Sequence, residues 1–361
     1  MLSLIVAGGC LGSDMASILP GAPGITTQPV PHTVFEGDTV SLSVVVTGNT
    51  PSLQWYRDGL KVDSATGTSL TFAGIRPSDA GVYFVVVSNS VGTLVSDTAR
   101  LVVNPRPTVI GYTLSSGTAA ATNKTYASTT ADQSAVWVSG TGDLTLIDPT
   151  VTKSGDASSV SASQSTGVNA ALLASGGRIA MIDGTITSTA IGAAGLYATG
   201  GATRISVTRG LVTTTGASSY AVGASQGAIV DLARTKLRAA SGTLLSAITG
   251  ANVTFLSEGD SLSGLVTADA SSTVTVSLTK GATLTGAVQL ANVSLDSAST
   301  WNVTAASAVK AFSDPLVLNG GTVTNVTGNG FKVTYDASLA QNSALGGRTY
   351  ALAGGGTLAP R

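Results

Sequence analysis

Carboxylates are the commonest side chains able to do chemistry in the C-terminal part of this 361-residue chain. They stand at Asp132, Asp143, Asp148, Asp156, Asp183, Asp231, Glu258, Asp260, Asp269, Asp296, Asp314 and Asp336. Two of them flanking a glycosidic bond could act as acid and base or as acid and nucleophile. Several of them around Ca²⁺, with a basic catalyst, could cleave a polysaccharide. Either chemistry needs the acids adjacent, or one repeat apart if the chain coils. The spacing does not supply this. Asp183 is followed one repeat later by Arg209, not by an acid. Glu258 and Asp260 are the one close pair, and they read as turn residues. Asp143 and Asp148 flank the strand-like Leu144–Ile147, and Asp148-Pro149 signals a turn. The chain has a single histidine, His32, and a single cysteine, Cys10. His32 follows Pro31 and reads as a solvated loop residue. A zinc-type site needs several such ligands together, so no metal and no cofactor is expected. A Ser–His or Cys–His nucleophile has no partner beyond residue 108. The expectation is that the chain is not an enzyme. Tyr197 and Tyr220 recur at nearly one repeat. On an exposed face they would stack on sugar rings, and turned inward they would pack a coil edge.

Composition narrows the class. Charged residues make up 10% of the chain and the formal net charge is −1, so no basic field for nucleic acid exists. Mean hydropathy is +0.36, yet no apolar run reaches the roughly 20 residues of a spanning helix. The apolar residues are dispersed among 44 glycines and many Ser and Thr. Abundant Val, Thr and Ile with few Glu and Lys predict an all-β chain. One cysteine allows no intrachain disulfide.

The N-terminus reads Met1-Leu2-Ser3-Leu4-Ile5-Val6-Ala7-Gly8-Gly9-Cys10. An apolar run closing on small residues before a lone cysteine resembles the end of a bacterial lipoprotein signal. That resemblance makes Cys10 the lipidation candidate and the one expected route to a membrane. No Lys or Arg precedes the run, the run is short, and Ala7 stands where Leu or Val is usual. A start codon placed too far downstream would account for the first two departures. Residues 11–25 carry Pro20, Gly21, Pro23 and Gly24, the composition of a flexible tether.

Residues 26–104 show about seven short strands with regular turns. Leu42, Val44 and Val46 alternate with Ser41, Ser43 and Val45. Leu53-Gln54-Trp55-Tyr56 precedes a tight Arg57-Asp58-Gly59 turn. Asp79-Ala80-Gly81-Val82-Tyr83 forms a corner before the next strand, and Asn89-Ser90-Val91-Gly92 is a hairpin turn. Together with Gly37-Asp38, these residues resemble the I-set immunoglobulin family over the whole segment. The resemblance implies a β-sandwich, with Trp55 between the sheets and Tyr83 as its tyrosine corner. The family's two bracketing cysteines are replaced by Val44 and Val85. The two valines are expected to touch Trp55 instead. Arg76 and Asp79 could form a weak surface pair at the corner.

After the stiff Asn104-Pro105-Arg106-Pro107 segment, the chain repeats. Ala174, Ala198, Ala224 and Ala247 lie 24, 26 and 23 residues apart. Ile179, Ile205, Ile229 and Val253 trail them, each opening a strand-like run. A repeat near 24 residues with two or three short strands predicts one coil of a parallel β-helix over 108–361. Further strand-like runs include Thr273–Leu278 and Leu316–Val323. The repeat style, with Ser272-Thr273-Val274-Thr275-Val276 and Gly320-Gly321-Thr322-Val323-Thr324, resembles the right-handed β-helix passengers of bacterial autotransporter-like adhesins. Tyr350–Leu352 and Gly354–Gly356 are expected to cap the open end. These resemblances imply a non-catalytic adhesin, extracellular or on the outer cell surface, binding a glycan or a protein. A structural spacer without a ligand and a polysaccharide-degrading enzyme are the alternatives.

Overall fold

The computed structural model describes residues 21–104, 108–315 and 321–361. Strands hold 52% of the chain and helices 5%, which makes it all-β. It divides into two compact units, one ending at Arg106 and one starting at Pro107. Cys10 and the Leu316–Gly320 part of an expected strand lie outside the described residues.

The N-terminal unit is an immunoglobulin β-sandwich. One sheet runs in the order His32–Phe35, Ala99–Asn104, Gly81–Ser88, Ser52–Arg57, Leu60–Lys61, with Thr93–Val95 also on Gly81–Ser88. Val40–Ser43 pairs antiparallel with Ser69–Phe72, and Gly24–Thr27 with Val45–Thr47. The alternation of apolar and polar residues sends Val40, Leu42, Val85, Val87 and Leu101 inward, into one core with Val44, Trp55 and Tyr83. Trp55 is fully buried and lies opposite Val85 in the ladder. Its indole Nε1–H donates to Gly67 O at 2.9 Å. The Tyr83 hydroxyl donates to Asp79 O at 2.7 Å. Asp79 does not pair with the Arg76 side chain; its carboxylate accepts from the Arg76 backbone N–H at 2.8 Å. His32 is not a loop residue. It opens a strand and pairs with Leu101.

The C-terminal unit is a parallel β-solenoid of about 10 turns. A typical turn is Leu172–Ser175, Arg178–Ile182 and Thr185–Ser188, each strand stacked in parallel on its equivalents above and below. The alanine series stacks as the repeat requires: Ala174 on Ala198, Ala198 on Ala224, Ala224 on Ala247. The second series needs one correction. Ile205 stacks on Val230, not on Ile229, and Val230 stacks on Val253. Side chains alternate along a strand, so a slip of one residue reverses the face. Val230 is buried and Ile229 is only partly so. Small and β-branched residues thus line a narrow continuous core.

Tyr350–Ala353 and Thr357–Pro360 stack in parallel on earlier strands and also pair antiparallel with each other. A 3₁₀ segment, Ala340–Leu345, lies before them. Asn342, buried within it, accepts from Phe312 N–H and donates to Lys310 O and Asp336 O.

Candidate functional site

One turn of the solenoid is longer than its neighbours. Val136 pairs with Leu172, 36 residues on, whereas Leu172 pairs with Leu196, 24 residues on. Insertions in a repeat array gather on one face, which is often the binding face. Here the additional residues form a short helix, α1, at Val160–Thr166. The Ser159 hydroxyl caps its start by accepting from Ala162 N–H. Gly167 ends it in the left-handed conformation at φ 74°.

The insertion decides the fate of two expected ligand residues. Tyr197 and Tyr220 are 1% and 4% exposed. Their hydroxyls both donate to Gln164 O of α1, at 3.0 and 2.8 Å. With Ala170, Leu173 and Ala194 they form a small core of their own. The expected exposed sugar-stacking face is therefore corrected: the helix covers both rings. Nor do the rings stack in register. Tyr220 lies on Ala194, while Tyr197 lies beside Gly223. A Cβ at Gly223 would sit 2.3 Å from the Tyr197 ring, so only glycine admits it. Burial pushes both phenol pKa values up.

The cover stops short of Trp137. This residue occupies the outward position next to Leu173 in the ladder, and Thr113 follows on its other side. Val136 and Val138 turn inward on either side of it. Trp137 is 43% exposed. It borders a cleft of about 240 Å³ lined by Gly111, Thr113, Asp132, Gln133, Ser134, Trp137, Val168 and Leu173. The Trp137 Nε1–H donates to Ser175 Oγ at 2.8 Å, which fixes the plane of the indole. Asp132 takes φ 55° at a turn and accepts from Ser158 N–H at 3.0 Å and from the Ser158 hydroxyl. The Ser158 hydroxyl bond, then its backbone bond, holds this carboxyl below the usual range. Gln133 approaches Gly111 so closely that a Cβ there would lie 2.7 Å from Nε2.

The turn that carries Asp132 also holds a buried cation. Lys153, 1% exposed, donates from Nζ to Thr130 O at 2.8 Å and to Gly155 O. Asn169 donates to the same Gly155 carbonyl at 2.9 Å. Lys153 thus ties the turn that carries Asp132 to the root of the insertion. Burial lowers its pKa from the ordinary 10.5 to about 8, against the opposing pull of Asp156 and Asp132. The folded state then holds fewer protons than the unfolded chain between these values. Stability should therefore rise as pH goes from about 8 to 10.5, by at most roughly 3 kcal/mol at 1.36 kcal/mol per unit. Urea unfolding of the solenoid across that window should show the rise, and Lys153→Met should abolish it.

The carboxylates elsewhere serve the coil. Asp183 meets Arg209 one turn on at 2.6 Å, and Arg204 meets Asp231 at 2.7 Å. Glu258 pairs with Lys280 and Arg234, and Asp260 with Lys236. The close acid pair of the sequence is thus engaged by bases on neighbouring turns. Asp269 and Asp296 accept turn N–H groups, from Thr249 and Ser272 and from Lys280 and Ser299. Among the described residues no three His, Cys, Asp or Glu are grouped to hold a metal.

Comparison with known proteins concerns the N-terminal unit. Residues 22–89 match the immunoglobulin domain family. Mouse hemicentin-2 is 39% identical over 83 residues, 22% of this chain and 2% of its own length. The muscle M-line assembly protein unc-89 of Caenorhabditis elegans is 34% identical over 87 residues, 22% of this chain and 1% of its own. The chain thus spans a very small part of these relatives. Among solved structures, the tandem Ig repeats of Dlar share 31% identity over 25% of this chain and 52% of theirs, with a TM-score of 0.24. The titin M10–obscurin-like 1 Ig complex shares 27% over 24% of this chain and 96% of that one, with a TM-score of 0.22. No helix among the described residues is long and apolar enough to cross a membrane.

Proposed function

We propose that this is a non-catalytic binding protein of the bacterial cell surface, an adhesin that recognises a glycan or a protein. In this reading the immunoglobulin unit is an I-set module that spaces or presents. The solenoid, of the autotransporter-passenger kind, carries recognition. Cys10 is the lipid attachment point that holds the chain at the membrane.

The observation that supports this best is the Trp137 cleft. An exposed tryptophan on a rigid ladder, its ring plane fixed by Ser175, is an anchor of the kind binding sites use. Asp183, Glu258 and Asp260 are each engaged by a base on a neighbouring turn, and the acids are spread over the coil. The test uses the full chain on a panel of glycans and matrix proteins, with a product assay on pectin, alginate and related polymers. Binding without product is expected. Product release would make it an enzyme. Silence in both, with the chain folded, would leave a spacer.

A further inference from the structure

We propose that the Trp137 cleft takes a neutral saccharide, one ring stacked on the indole and its hydroxyls shared among Asp132, Gln133 and Ser134. This rests on the reading of the protein as a binding protein and names the partner's chemistry.

Three features of the cleft carry the assignment. The first is its apolar side. Trp137, Val168 and Leu173 offer a surface to which the C–H face of a pyranose is complementary. Indole prefers such a face because its π-system attracts weakly positive hydrogens. The second is its hydrogen-bonding side. A carboxylate has about four acceptor positions, and Ser158 occupies two of those on Asp132. The Gln133 oxygen accepts from Ser128 at 3.4 Å, while no described residue accepts from its Nε2–H₂. The Ser134 hydroxyl donates to Val168 O at 3.4 Å and keeps its lone pairs. The cleft therefore presents free acceptors and a free donor next to an aromatic plane. A sugar hydroxyl is donor and acceptor at once and satisfies both kinds. A lysine or arginine from a protein partner would match Asp132 and Trp137 but has no acceptor for Gln133.

The third feature is charge. Asp132 is the one ionisable lining residue and no cation lines the cleft. Its bonds to Ser158 keep it ionised at neutral pH. A uronate or sulfate would meet the Asp132 carboxylate directly, while the Lys153 ammonium that acts on Asp132 is not among the residues lining the cleft. Size agrees. Pockets for drug-sized ligands span about 300–1,000 Å³, so 240 Å³ seats a single ring with the rest of the glycan leaving into solvent.

The experiment titrates the full chain, by calorimetry and tryptophan fluorescence, with neutral oligosaccharides of glucose, galactose, mannose and N-acetylglucosamine. Polyuronates, sulfated glycans and matrix proteins are run in parallel. Neutral ligands should bind. Trp137→Ala should weaken them about tenfold or more, the factor that 1.4 kcal/mol carries, with the circular dichroism of the folded chain retained. Trp137→Phe should recover part of the loss. Asp132→Asn should weaken neutral ligands and ease the exclusion of uronates. Unaltered affinity in Trp137→Ala, or binding of acidic glycans alone, would overturn the proposal. Binding of proteins alone would overturn it too, yet leave the adhesin reading standing. Failure to bind anything would remove both.

Discussion

Replacing Trp55 by alanine is expected to unfold the immunoglobulin unit while the solenoid melts as before. Trp55 is the largest fully buried side chain of that unit. Truncating a buried tryptophan costs about 3–5 kcal/mol through lost transfer energy and the cavity left behind. The hydrogen bond to Gly67 O goes with it, for about 1 kcal/mol more. A domain of this size has about 5–15 kcal/mol in total. No disulfide is available to offset the loss, since Val44 and Val85 stand where the family has cysteines and both pack in the Trp55 core. The two units have separate cores. Calorimetry of the full chain should therefore show one transition lost or moved far down and the other in place. A common shift of both would mean that the cores are coupled.

The second large effect is expected in the turns around Ala340–Leu345. Asn342→Leu should destabilise the last turns by about 2–6 kcal/mol. Its side chain satisfies one buried N–H, at Phe312, and two carbonyls, at Lys310 and Asp336. Leucine of similar size fills the space but serves none of them. The Phe312 N–H left unpaired costs about 1–3 kcal/mol, and Lys310 O and Asp336 O, which also accept from the Asp336 and Leu339 N–H groups, lose about 0.5–1.5 kcal/mol each. A solenoid needs a cap because each turn is stabilised only by its neighbours. Hydrogen exchange should accordingly show the amides of Lys332–Tyr335 and Tyr350–Ala353 exposed first, with protection near Leu172–Ile186 retained. Uniform loss of protection would show the coil to be one cooperative block.

Much of this architecture is legible because it is periodic. Ala174, Ala198, Ala224 and Ala247 declare the stack since identical positions on successive turns share one narrow core. Trp55 and Tyr83 declare the sandwich through their spacing around Gly81. The one-residue slip at Ile229 has a plain cause: Ile229 and Val230 are both apolar and β-branched, so composition does not say which faces in. The face that carries α1 is less legible. α1 is built from Val160-Ser161-Ala162-Ser163-Gln164-Ser165-Thr166, a poor helix sequence on propensity. It is held by its caps and by packing on Tyr197 and Tyr220 instead. The signals were the lengthened repeat between Val136 and Leu172 and the Ser159…Gly167 cap pair. Without the helix, the sequence leaves open whether the two tyrosines face solvent or pack a coil edge, and nothing in it singles out Trp137, which the helix leaves uncovered. Its place between inward Val136 and Val138 is what sends it outward. Lys153 gave no sign at all. Its burial depends on the carbonyls of Thr130 and Gly155, which only the coiled chain brings together.

Recognition is assigned to the solenoid and not to the immunoglobulin unit. Fragments 26–104 and 108–361, each checked for folding by circular dichroism, should be measured separately against the same panel of glycans and matrix proteins. Specific binding is expected from 108–361, diminished by Trp137→Ala, and none from 26–104. Binding by 26–104 alone would contradict this assignment and place recognition on the sandwich.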